Sequence, residues 1–116
     1  MSGDAVNAFR IVIHGQGVAL TRGLAQAIEE RLRKDLRPHA RRIVVAHVRL
    51  WTPPEGDRPA VCHLRVELRP SGGLALGEAG LDAAAAVERA SLRMTVALGA
   101  HLARPQGAGS NAWFRT

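Results

Sequence analysis

Arg33 and Arg37 stand four residues apart in RLRKDLRP, and Arg89 and Arg93 repeat that spacing in VERASLRM. On a helix, residues four apart share a face, so each pair offers two guanidinium groups one turn apart, able to span neighbouring phosphates. The plain alternative is a solvated face on which the same arginines sit among Glu29, Glu30 and Glu88. Composition weights the choice. There are 16 Lys+Arg against 10 Asp+Glu, a formal net charge of +6, and every cation except Lys34 is arginine. Arginine grips phosphate bidentately and stacks on bases, so the balance favours nucleic acid over a neutral ligand. An arginine-for-lysine bias can also follow genomic base composition, so charge alone does not prove it.

Other chemistry finds no support. Cys62 falls on the inward face of its strand and reads as a small core residue rather than a nucleophile. No Cys-x-x-Cys or His-x-x-x-His pair offers a zinc site, and His39 and His101 stand alone. Gly15-x-Gly17 lacks the third glycine of a dinucleotide turn, and there is no Walker lysine. Glu29 and Glu30 point to different sides of a helix and Asp57 lies in a turn, so no acid-base pair forms. No enzyme, metal, cofactor or small-molecule substrate is expected. One cysteine cannot form an internal disulfide, MSGDAVNAF lacks a signal sequence's basic start and apolar run, and no segment reaches membrane-spanning length; a cytoplasmic protein away from membranes is expected.

A chain of 116 residues, 47% apolar, suits one domain with a real core. Phe9, Ile11 and Ile13 alternate with Arg10, Val12 and His14 as a strand with one apolar face. After Gly15 and Gly17, Thr21 caps a helix whose apolar face is Leu24, Ile28, Leu32 and Leu36, with Arg22, Gln26, Glu29, Arg33 and Arg37 opposite, until Pro38 ends it. His39 to Arg42 is a basic loop. Ile43–Trp51 reads as a strand with Val44, Ala46, Val48 and Leu50 inward, 52–59 as a turn, and Ala60–Arg69 as a strand with Cys62, Leu64, Val66 and Leu68 inward. Pro70–Gly73 reverses the chain into a short strand, Leu74–Ala79, with Leu74 and Leu76 inward. From Leu81 to about Ala103 runs an alanine-rich helix capped by Asp82, with Ala84, Val87, Ser91, Met94, Leu98 and Leu102 on one face and Ala85, Leu92, Val96 and Gly99 beside them; Pro105 ends it. Residues 1–8 read as a flexible leader, 9–104 as the domain and 105–116 as a flexible tail with Trp113 and Phe114.

The order is β-α-β-β-β-α. A parallel first pair across the first helix, followed by two hairpins, predicts an α+β two-layer fold: one four-stranded mixed sheet with two helices on one face. The bare face would carry Arg10, His14, His47, Arg49, Trp51, His63, Arg65 and Arg69, with Glu67 the only acid. Trp51 beside Arg49, His63 and Arg65 makes this a second candidate surface, for stacking a base or for self-association.

Ile11-x-Ile13-x-Gly15 before Val18-x-Leu20-Thr21-x-x-Leu24, Glu29-Glu30-x-Leu32-x-Lys34, the strand Ile43–Leu50, and Arg65–Gly73 before Asp82-x-x-x-Ala86-Val87 resemble the ribosome hibernation-promoting factor family. That family is also called ribosome-associated inhibitor or protein Y, and the resemblance covers about residues 9–104. It implies the same fold, and it implies binding to ribosomal RNA in the decoding channel of the small ribosomal subunit, stopping translation under stress. Carried over where this chain has cations, the implied RNA-binding residues are Arg22, Arg33, Lys34 and Arg37 on the first helix, Arg41 and Arg42 after it, and Arg89 and Arg93 on the second. The chain departs from the family at Ala84, where members carry tyrosine, and at Thr95–Ala100, where they are more basic. By this resemblance it would be the family's short form, which lacks the C-terminal domain that pairs ribosomes.

Two functions follow from different classes. The first is a ribosome-binding translation modulator that acts by occupancy. The second is an interaction module of the same fold that has lost ribosome binding and forms a homodimer through its bare sheet face.

Overall fold

The structure, a computed structural model, describes residues 9–52 and 59–103. The expected leader, most of the 52–59 turn and the tail with Trp113 and Phe114 lie outside the described residues. Among the described ones the order is β1 (Arg10–Gln16), α1 (Arg22–Asp35), a 3-10 helix (Arg37–Arg42), β2 (Ile43–Trp51), β3 (Ala60–Leu68), β4 (Gly73–Gly80) and α2 (Ala83–Leu102). The four strands form one sheet in the order β1-β2-β3-β4, the first pair parallel and the others antiparallel. Both helices cover one face, as expected.

The parallel pair dictates how α1 runs. β1 and β2 point the same way, so α1 must return along the sheet and end where both strands begin. β4 also runs parallel to β2, so α2 returns in the same direction as α1. Contacts from Arg31 to Glu88 and from Asp35 to Ser91 and Thr95 advance together along both helices, as parallel neighbours require.

Both predicted caps form. The Thr21 hydroxyl accepts from the Leu24 amide at 3.1 Å, and the Asp82 carboxylate accepts from the Ala85 amide at 2.8 Å. Ile28, Leu32 and Leu36 enter a core with Phe9, Cys62, Leu64, Val66, Leu68, Met94 and Leu98. Burial pushes the Cys62 thiol up to about 12, which keeps it neutral and inert at ordinary pH.

Three expectations are corrected. Val44 faces solvent, because a register shift between Ile43 and Val45 places an irregularity there and leaves Ile43 buried. Residues 37–42 are a 3-10 helix, not a loop: Pro38 sits in its first turn, where a missing N–H costs nothing. The buried stripe of α2 is Ala86, Val87, Ala90, Ser91, Met94 and Leu98, while Ala84 is exposed and Leu92 and Val96 are 51% and 74% exposed. The small side chains of Ala86 and Ala90 let α2 lie close on β3 and β4. A Cβ at Gly80 would collide with the Ala86 backbone nitrogen and lie 2.7 Å from the Ala85 carbonyl carbon.

Candidate nucleic-acid interface

The C-terminal end of α1, the 3-10 helix and the start of the sheet come together at one end of the molecule. Lys34, Arg37 and Arg41 are exposed there. Arg42 is half-buried and donates from Nε to the Arg69 carbonyl at 3.1 Å, while the Arg69 amide donates back to the Arg42 carbonyl at 2.8 Å. Arg69 also donates to the Ile43 carbonyl at 3.1 Å. None of Lys34, Arg37, Arg41, Arg42 and Arg69 makes an ion pair with a described residue.

Asp35, the acid within this stretch, is turned inward. Its carboxylate accepts from the buried Ser91 hydroxyl at 2.8 Å and meets Arg31 at 3.7 Å, while its carbonyl accepts from Thr95 at 3.1 Å. These bonds join the two helices and turn the Asp35 carboxylate away from the basic end. Part of the clustering has a purely structural basis, since cations near a helix C-terminus complement the macrodipole by about 0.3–1 kcal/mol each.

The remaining expected contacts do not join that cluster. Arg22 lies at the opposite end of α1. Arg33 is half-buried, with its guanidinium donating to the Phe9 carbonyl at 3.0 Å and lying 5.2 Å from the Phe9 ring centroid, so it ties α1 to the start of β1. Arg89 and Arg93 reach over the β4 edge to Glu78, Arg89 at 3.5 Å and Arg93 in a direct hydrogen bond. Glu78 therefore offsets one of the two charges. The nearby acid expected for this pair, Glu88, instead faces Arg31 at 3.5 Å.

The bare face of the sheet is set by register. Four rows cross it: Arg10–Val45–Glu67–Gly73, Val12–His47–Arg65–Ala75, His14–Arg49–His63–Gly77 and Gln16–Trp51–Val61–Ala79. Arg49, His63 and Arg65 are exposed and Trp51 is 42% exposed, as the alternation predicted. Arg69 is absent from this face, because β3 ends at Leu68 and its side chain folds onto the start of β2. Glu67 is shared by His47 at 3.0 Å and Arg65 at 3.1 Å.

Sequence reasoning missed two participants. Arg69 was misplaced because parity was extended beyond the end of the strand, although the following Pro70-Ser-Gly-Gly73 marks that end. Glu78 had a legible signal: it continues the every-second-residue series Leu74, Leu76, which puts it on the helix side of β4. No group of three or more His, Cys, Asp or Glu is placed to hold a metal among the described residues, and no described helix is long and apolar enough to cross a membrane.

A two-layer α+β domain with one four-stranded mixed sheet is the class these features define. Solved structures share it. A ribosomal subunit interface protein from Coxiella burnetii superposes with a TM-score of 0.73 at 19% identity, over 83% of this chain and 100% of that one. The N-terminal domain of Protein Y from Thermus thermophilus does so with a TM-score of 0.62 at 24% identity, over 76% and 91%. Both agree with the family that the sequence resembles, and at these identities they establish the fold. No protein-family model matches the sequence, and no curated protein does.

Proposed function

We propose that this chain is a ribosome-associated translation modulator that acts in the cytoplasm without catalysis. The working unit is residues 9–104. Its basic end holds ribosomal RNA of the small subunit, and its folded body obstructs the decoding channel, as a hibernation or stress factor would. The observation that carries this reading is the group of Lys34, Arg37, Arg41, Arg42 and Arg69, none of which makes an ion pair with a described residue, on a fold shared with a ribosomal subunit interface protein. Guanidinium groups fixed by backbone hydrogen bonds lose little freedom on meeting phosphate, which favours a rigid RNA surface.

The test is sedimentation of tagged protein with small ribosomal subunits at low and high salt. Wild type is expected in the subunit fraction at low salt. The triple variant Lys34→Glu, Arg37→Glu, Arg41→Glu is expected to leave it with an unchanged circular dichroism spectrum. A variant that stays bound removes these residues from the interface, and wild-type protein free of subunits at low salt overturns the reading.

The homodimer alternative is less well supported. Two copies docked through the bare sheet would press Arg10, Arg49 and Arg65 against their own kind, with Glu67 already engaged.

A further inference from the structure

We infer that the bare face of the sheet is a second, separate nucleic-acid surface that takes single-stranded RNA. The row His14–Arg49–His63 crosses three adjacent strands, about 10 Å at ordinary strand spacing, and places a guanidinium between two imidazoles. Arg65 and His47 follow in the next row and Trp51 in the row on the other side. This sequence of planar donors beside a half-exposed indole suits a flexible strand, whose phosphates meet the cations while an unstacked base lies on the ring.

The fourth strand supplies the floor. β4 places only Gly73, Ala75, Gly77 and Ala79 on this face, so the cationic rows border a shelf without long side chains. His63 leans across it: a Cβ at Gly77 would lie 3.3 Å from the imidazole Cδ2. His63 thus occupies the shelf above Gly77, and a base lying over Ala75 or Ala79 beside it would meet its imidazole.

Charge decides the occupant. Glu67 is the one carboxylate on the four rows and is bound by His47 and Arg65, so Arg10 and Arg49 make no ion pair among the described residues. A second copy would repel across the cationic rows, and Trp51, Val61 and Ala79 form one apolar row at the end of the face. The His14–Arg49–His63 row is the third from the sheet end that carries Lys34, Arg37, Arg41, Arg42 and Arg69, so this surface differs from the ribosome-binding end proposed above and does not depend on it.

The experiment uses a fluorescent 12-nucleotide single-stranded RNA in the full chain carrying Trp113→Phe, which leaves Trp51 as the sole tryptophan. Binding is expected with quenching of Trp51. Arg49→Gln with His63→Gln should weaken it roughly 10-fold or more, and Trp51→Ala roughly 5-fold or more, a base stack being worth about 1–3 kcal/mol. Both variants should still sediment with small subunits as wild type does, while Lys34→Glu, Arg37→Glu, Arg41→Glu should keep the RNA quenching. Unquenched Trp51 together with unchanged affinity in both sheet variants overturns the inference. So does an acidic peptide, a 12-residue polyglutamate, that binds this face as tightly as the RNA.

Discussion

Glu78 accepts from Arg93 and faces Arg89 at 3.5 Å, with its side chain 16% exposed, and Glu67 holds His47 and Arg65 in the same manner on the other face. Both carboxyls are held below the usual carboxylate range, Glu78 first by the hydrogen bond from Arg93 and Glu67 first by the one with His47. A lowered folded-state pKa stabilises the fold above the ordinary carboxylate value, and that contribution is lost as pH falls through the folded value. Wild type is therefore expected to lose thermal stability relative to Glu78→Gln and Glu67→Gln as pH falls below the ordinary carboxylate value and through the lowered folded values. Melting curves at stepped pH check this, and a gap between wild type and variant that stays constant with pH would remove the pairing as its source. These pairs were only half legible in the sequence: alternation assigns each acid to a face, but a partner 15 positions away in the chain, as Arg93 is from Glu78, depends on how a helix is laid over a strand.

At the scale of elements, caps and periodicity carried most of the reading, and failures came where packing selected among equal local patterns. The sequence of α2 offers several apolar stripes, because alanine is compatible with either side of a helix. Contact with the sheet chose the stripe with Ala86 and Ala90, since smaller residues permit a closer approach and more dispersion contact, and Leu92 and Val96 were left outside. The same close approach makes Gly80 critical. Gly80→Ala is expected to destabilise the fold by roughly 1–3 kcal/mol by overpacking, read as a lower urea midpoint with an unchanged slope. Ala79→Ser, one residue away on the open face, should leave the midpoint near the wild-type value.

For the whole molecule, the return of α1 to the start of β2 gathers cations at one end of the sheet, and the register spreads others over its bare face. If the five cations at the basic end each meet a phosphate, counterion release predicts that affinity for small subunits falls by roughly two to three decades between 50 and 200 mM salt, on the order of 0.7–0.9 per phosphate in log–log slope. A titration by sedimentation or fluorescence checks this, and a nearly flat response would mean that the end is not a phosphate-binding surface. Local periodicity, capping residues and turn formers by themselves determined the element order, the layer arrangement and the excess of positive charge, because each depends on neighbours within one or two turns of chain. Only the tertiary structure decided which arginines stand together. Asp35 is drawn into the helix contact, Arg33 is held by Phe9 and Glu78 sits beneath two guanidinium groups, and those pairings are set by distances between segments that the chain brings together only on folding.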